Sequence, residues 1–232
     1  MTDMTNPPAV VPPRRVYGRR RGRALRTGQQ SLIDTLLPRL RVPLPENAEA
    51  KLDPRGLFPG AVEDCWLEIG FGAGEHLGFQ AETHPQVGLI GCEVFEPGIA
   101  RFLTEVAAKN LTNLRLFPDD ARLLIAALAP QSLGRAFILF PDPWPKERHK
   151  KRRVVSTETL DDLAVVMKPG AELRLGTDVP DYAEWMAERG DVHPAFERVV
   201  FTDRPNDWPA TRYEMKARRQ GRGAALFRYR RR

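Results

Sequence analysis

From residue 62 onward the chain alternates short apolar runs with amphipathic stretches, and nothing else in the sequence constrains its fold as much. Strand-like segments fall at 65–69, 87–92, 113–117, 135–140, 171–175, 196–201 and 224–229. Helical stretches separate the first five, near 75–83, 97–109, 120–128 and 157–167, and another follows near 181–189. Strand and helix repeating in this way imply an α/β fold, a mostly parallel seven-stranded sheet with helices on both faces. The last two runs are separated by a polar loop rather than a helix, so they are expected to pair antiparallel at one edge. The length fits a single such domain: 232 residues, 42% of them hydrophobic, bury a full core without disulfide staples. The two cysteines, Cys65 and Cys92, each sit in an apolar segment. They read as small buried hydrophobes in a reducing compartment.

Ahead of this pattern the chain is different in kind. Residues 1–13 are proline-rich and aperiodic, the composition of a disordered tail. Arg14 to Gly28 forms an Arg/Gly-rich arm, and 31–40 offers a short apolar helix opened by Ser31, followed by a proline-punctuated linker over 42–60. The organisation expected is a basic arm over 1–30, disordered or in contact with a nucleic acid, and a single folded domain over 31–232. Charge supports the division. The formal net charge is +6, but residues 1–30 carry +6, residues 146–153 carry +5 and residues 212–232 carry +8, leaving −13 on the other 173. An acidic body with three basic segments points to a polyanionic partner. No apolar run approaches the roughly 18 residues of a membrane span, and the N-terminal residues lack a signal-peptide core, so a cytoplasmic protein is expected.

The first strand runs into Leu67-Glu68-Ile69-Gly70-Phe71-Gly72-Ala73-Gly74. Glycines at 70, 72 and 74 let the backbone turn tightly and approach a ligand at the carboxyl end of a strand. The spacing is G-x-G-x-G rather than the G-x-G-x-x-G of a dinucleotide fingerprint, and Glu68 precedes it by two residues. A pyrophosphate would be repelled there, whereas the amino group of a methionine moiety would be attracted. This favours S-adenosylmethionine over a nicotinamide dinucleotide. Glu93, ending the second strand, is placed to accept hydrogen bonds from ribose hydroxyls, as either cofactor would require. Asp120 stands either at the adenine edge or at a helix N-cap, with equal weight.

The fourth strand ends in Phe140-Pro141-Asp142-Pro143-Trp144-Pro145-Lys146, and residues 146–153 hold six Lys or Arg. Three prolines make a stiff loop that presents Asp142 and Trp144 beside the cofactor turn. A base can stack near Trp144 while the cations hold phosphates.

With these residues in view, the chain resembles the bacterial tRNA (guanine-N7)-methyltransferases, enzymes that modify a guanine of the tRNA variable loop. The matching segments are L-E-I-G-F-G-A-G, G-C-E-V, F-P-D-P-W-P-K-E-R-H-K-K-R-R, L-G-T-D-V-P-D-Y and T-R-Y-E-M-K-A-R-R-Q-G. The proline-tryptophan block is the specific one, and Ala217 departs from the pattern where a glycine is expected. The resemblance implies a Rossmann-like S-adenosylmethionine-dependent methyltransferase fold. It implies that Glu68, Glu93, Asp120 and Asp142 face the cofactor, and that Lys146, Asp178, Thr211, Arg212, Tyr213 and Glu214 face tRNA.

The chemistry is consistent with these residue types. Guanine N7 attacks a sulfonium methyl without losing a proton, so no general base is needed and Asp142 would act by orientation and by facing developing positive charge. Asp178 or Glu214 could accept from the Watson-Crick edge of guanine. Read from the residues alone, Asp178 could instead cap the helix after Pro180, Glu214 could pair with Arg212 or Lys216, and Thr211 and Tyr213 could be ordinary loop residues. His76, His84, His149 and His193 have no metal-ligand spacing, so no metal is expected, and no nucleophile sits at motif spacing from a histidine. Methylation of an exocyclic base amine, a non-catalytic RNA-binding role and a dehydrogenase are the alternatives. Removing residues 1–26 is expected to weaken tRNA binding and leave cofactor affinity nearly unchanged.

Overall fold

A computed structural model describes residues 17–47 and 49–232; the proline-rich residues 1–13 and the first residues of the arm lie outside the described residues. Five parallel strands, β1 (Asp64–Ile69), β2 (Val87–Cys92), β3 (Leu114–Phe117), β4 (Leu133–Leu139) and β5 (Met167–Thr177), are joined to β6 (Phe196–Arg198) and β7 (Ala225–Arg231). Their order across the sheet is β3-β2-β1-β4-β5-β7-β6, with β7 antiparallel to both neighbours. The chain steps outward from β1 to β3 and then crosses back to β4, so the strand order reverses between β1 and β4. A crevice opens at the carboxyl ends of strands at such a point.

Helices α3 (Glu75–Thr83), α4 (Glu96–Lys109), α5 (Ala121–Ala127), α6 (Thr157–Val166) and α7 (Pro180–Val192) cover the two faces. All six residues of β2 are buried, which is why the strand reads as an unbroken apolar run rather than an alternating one. Along β1, Cys65, Leu67 and Ile69 join one core cluster and Trp66 the other. The same alternation turns Glu68 toward the α3 side of the sheet.

Two expectations change. In place of one helix at 31–40, α1 (Thr27–Thr35) starts four residues earlier and α2 (Leu37–Leu40) follows it. The Gln29 side chain accepts from the Arg26 N–H at 3.3 Å and fixes the early start, and Pro38, with no N–H to give, interrupts the run. The stretch between β6 and β7 is not all loop either: α8 (Arg212–Arg219) lies in it, with Thr211 as N-cap accepting from the Glu214 N–H at 3.2 Å. Its buried residues are Glu214 and Ala217, so no apolar stripe announces it. Ala217, standing where the resemblance would put a glycine, is fully buried there.

Candidate active site

A cavity of about 370 Å³ occupies the crevice at the ends of β1, β2 and β4. Gly70 leaves β1 with its N–H donating to the Cys92 carbonyl at 2.8 Å. Its φ of +76° is a left-handed conformation, and a Cβ there would meet nothing within 4 Å, so bare backbone faces the cavity. Gly72 also lines it. Gly74 does not: at φ +83° its absent Cβ would stand 2.0 Å from the Phe102 ring on α4. This third glycine lets α4 close on the turn and does not touch the cavity.

Among the described residues, six carboxylates line the space, those of Glu68, Glu75, Glu93, Asp119, Asp120 and Asp142, against a single arginine, Arg19. Five have partners. Glu68, 4% exposed, accepts from His76 Nδ1 at 2.7 Å. His76 Nε2 faces the Gln80 amide nitrogen at 3.2 Å, and that nitrogen also donates to the Asp207 carbonyl at 2.6 Å. These partners assign the imidazole proton to Nδ1. Glu93 Oε1 accepts from the N–H groups of Val94 at 2.7 Å and Phe95 at 2.8 Å, and Oε2 from Gly72 at 2.8 Å. That leaves Oε2 one open lone-pair direction. Burial, opposed by those three donors and reinforced by the charge of Asp142, raises the Glu93 pKa. Asp120 is the N-cap of α5, accepting from the Arg122 N–H at 3.0 Å while its carboxylate pairs with the Arg122 guanidinium at 2.5 Å. The cap is made, and the carboxylate still lines the cavity. Glu75 lies 3.4 Å from Arg212 Nε and Asp119 2.6 Å from Arg20.

Asp142 is the exception. It is exposed at the cavity rim and, among the described residues, makes no hydrogen bond or ion pair. The loop that presents it is strained. Phe140 at φ +52° and Trp144 at φ +45°, each followed by proline, hold left-handed conformations that bulky residues avoid. Such residues cost about 1–3 kcal/mol each and persist only where their surroundings over-determine them. One face of Trp144 is covered by the Arg152 guanidinium, 4.9 Å from the ring centre, which also lies 5.0 Å from the Tyr17 ring.

The expected tRNA-facing residues divide. Thr211 and Tyr213 line the cavity; Tyr213 is 52% exposed, and a Cβ on Gly72 would lie 3.5 Å from its ring. Arg212 lies beside Glu75, and Lys146 is exposed at the start of the short 3-10 helix Glu147–Arg152. Asp178 and Glu214 are outside the cavity lining. Asp178 pairs with Arg222 at 3.1 Å, while Val179 occupies the N-cap position of α7 and makes no side-chain cap there. Glu214 is fully buried, with Arg204 at 2.6 Å and Arg218 at 2.6 Å, so its partners are neither Arg212 nor Lys216.

Beyond its basic charge, the arm contributes to the cavity itself. Gly18 and Arg19 form part of the cavity wall, Arg20 holds Asp119, and the Arg20 carbonyl accepts from the Glu96 N–H at 2.9 Å. A run of arginines carries no sign that one of them walls a pocket. His76 and Glu75, a residue or two beyond the glycine turn, were equally silent. Both cysteines are free and buried; burial pushes the Cys65 thiol up to about 12 and raises Cys92 as well. Among the described residues no His, Cys, Asp and Glu cluster suits a metal ion.

Residues 63–226 match the family model described as "Putative methyltransferase". The chain is 56% identical over 223 residues to a Paramagnetospirillum magneticum protein named tRNA (guanine-N(7)-)-methyltransferase, covering 94% of this chain and 93% of the relative. A protein of the same name from Granulibacter bethesdensis is 48% identical over 241 residues, 100% of each chain. Among solved structures, the 16S rRNA methyltransferase KamB is similar in fold, with a TM-score of 0.54 at 20% identity over 77% of this chain and 90% of that one.

Proposed function

The chain belongs to the tRNA (guanine-N(7)-)-methyltransferase family, and we propose that it transfers the methyl group of S-adenosylmethionine to N7 of a guanine in the tRNA variable loop. The observation that carries this reading is the charge of the cavity. Six carboxylates around bare glycine backbone suit a cofactor bearing an ammonium and a sulfonium, and repel a pyrophosphate. S-adenosylmethionine supplies, when bound, a methyl group activated by the positive sulfur.

The protein's own residues then have limited work to do. Gly70 and Gly72 offer backbone without Cβ, Glu68 is the acid for the amino group, and Glu93 Oε2 takes one ribose hydroxyl. Asp120 has its cap and its arginine, so its further role is to lend negative charge on the adenine side. Tyr213 and Thr211 border the entrance from which a base would arrive, with Lys146, Arg148 and Lys151 exposed for phosphates. N7 already has its lone pair, so Asp142 orients the base and faces the cationic guanine as it forms, and no proton moves to it. Two buried free thiols suit a reducing compartment, and the reading puts the protein in the cytoplasm with its substrate. Among the described residues no helix is long and apolar enough to cross a membrane.

Incubation with unmodified tRNA and methyl-labelled S-adenosylmethionine, followed by nucleoside analysis, should yield 7-methylguanosine. Label on an exocyclic amine would replace the target. Asp142→Asn should reduce turnover steeply at every pH while cofactor and tRNA affinities stay near wild type. A single ionisation governing the methyl-transfer step, with a solvent isotope effect, would make Asp142 a base instead.

A further inference from the structure

Asp142 itself is untethered, yet the loop around it holds two strained aromatic residues, so something else must fix its geometry. The backbone contact comes from Arg153, whose Nε donates to the carbonyl of Pro143, the residue after Asp142, at 2.9 Å. Its Nη2 reaches the Asp181 carboxylate at the start of α7. The guanidinium lies over the Tyr182 ring at 4.6 Å and the Trp185 ring at 4.9 Å. Around it, Trp185 Nε1 donates to the Val155 carbonyl at 2.6 Å and the Val155 N–H donates to Tyr182 Oη at 3.3 Å, closing a frame between the loop and α7.

This cation is 3% exposed and, among the described residues, its Nη1 has no hydrogen-bond partner. A buried guanidinium with an unmet donor is an unfavourable arrangement, and this one lies at the floor of a basic cavity shared with Lys150, Lys151, Arg152 and Arg189. Of the six cations in 146–153 it is the buried one; Lys150 shares the Asp181 carboxylate at 2.9 Å and Arg152 covers Trp144.

We propose that Arg153, braced by Asp181, is a positioning residue for the reactive loop, holding the Pro143 carbonyl so that Asp142 keeps its place at the cavity rim. The inference rests on the reading of Asp142 as the carboxylate that faces the target base. Lysine at 153 keeps the charge but has neither the Nε donor nor the planar fork, so it cannot hold the carbonyl and the carboxylate together.

The test compares Arg153→Lys, Asp181→Asn, their double variant and Asp142→Asn with wild type, each checked for folding by thermal melting. Asp181 is exposed, so its variant tests the same brace if Arg153→Lys fails to fold. The expected result is a kcat lower by about 10- to 100-fold in each single variant, with KM for cofactor and tRNA within about twofold and the salt dependence of tRNA binding unchanged. The double variant should be no slower than the worse single one. A wild-type kcat in a folded Arg153→Lys or Asp181→Asn protein, beside a disabled Asp142→Asn, overturns the positioning role alone. A raised tRNA KM with a flatter salt slope also overturns it, by making Arg153 a phosphate ligand. Full turnover in Asp142→Asn removes the reading of Asp142 and the proposal with it.

Discussion

Gly70 and Gly74 hold the same left-handed conformation for opposite reasons, and alanine at each position separates the two. At either site the added Cβ meets the backbone penalty of a positive φ, about 1–2 kcal/mol. At Gly70 nothing else is touched within 4 Å, whereas at Gly74 the methyl would lie 2.0 Å from Cδ2 and 2.3 Å from Cγ of Phe102. Phe102 is fully buried, its ring 5.2 Å from that of Phe71, so it has nowhere to retreat. Overpacking of this kind adds about 1–3 kcal/mol. Gly74→Ala should therefore lose about 2–5 kcal/mol and Gly70→Ala about 1–2 kcal/mol. Urea unfolding of the ligand-free proteins, compared at equal slope, measures the difference. Titration with S-adenosylhomocysteine should show the reverse order, because only the Gly70 methyl enters the cavity. Equal stability losses, or a Gly74→Ala protein that is stable but fails to bind, would refute the packing argument and return Gly74 to the cofactor.

Deleting residues 1–26 should weaken tRNA binding and flatten its salt dependence, and should also lower cofactor affinity, because Gly18 and Arg19 wall the cavity. An unchanged cofactor affinity by calorimetry would show that the wall is dispensable. Burial alone would raise the Asp207 pKa, but Arg174 and Arg135 outweigh it and hold it below the ordinary 3.8. A depressed carboxylate stabilises the fold above its unfolded pKa and loses that contribution as pH falls through the folded value. The stability gap between wild type and Asp207→Asn should thus be full at pH 7 and pH 5 and shrink below about pH 3.8; a gap independent of pH would contradict the ion pairs. Glu214→Gln, which takes the charge partner from Arg204 and Arg218, should destabilise by about 3 kcal/mol. A variant of wild-type stability that lost only tRNA affinity would make Glu214 a substrate contact after all.

The first five strands and the helices between them were legible because a parallel sheet buried on both faces leaves unbroken apolar runs such as 87–92, bounded by turns. What hid was whatever the protein buries through charge. Arg153 and Arg174, 3% and 2% exposed, belong to a residue type that sequence reasoning sends to the surface. The helix at 212–219 inserts Glu214 and Ala217 instead of leucines, so no hydrophobic period marks it. The candidate site shows the same division. Glu68 lies near the end of β1 and Glu93 and Asp142 follow the ends of β2 and β4, and all three could be found from the sequence alone, because strand ends are where α/β sheets place ligands. Arg19, far away in the chain and looking like any solvated arm residue, could not. Asp178 and Glu214 were singled out as acids on a basic surface. Asp178 is neutralised by Arg222, 44 positions away, and Glu214 by Arg204, 10 positions away, as well as by Arg218 one helical turn on.

The place of β7 has a consequence for how the molecule is made. It is the last strand in chain order yet lies between β5 and β6, with Glu172 to Thr177 of β5 paired along one side and Phe196 to Arg198 of β6 along the other. A ribosome delivers both neighbours first, and until Ala225 to Arg231 emerge the growing chain has an open seam in its sheet, with bare N–H and C=O groups and no Phe227 or Tyr229 to fill the space beneath. A chain cut off before that strand cannot close the sheet between β5 and β6. Such a product would leave the facing edges of β5 and β6 unpaired, the kind of open edge that invites aggregation.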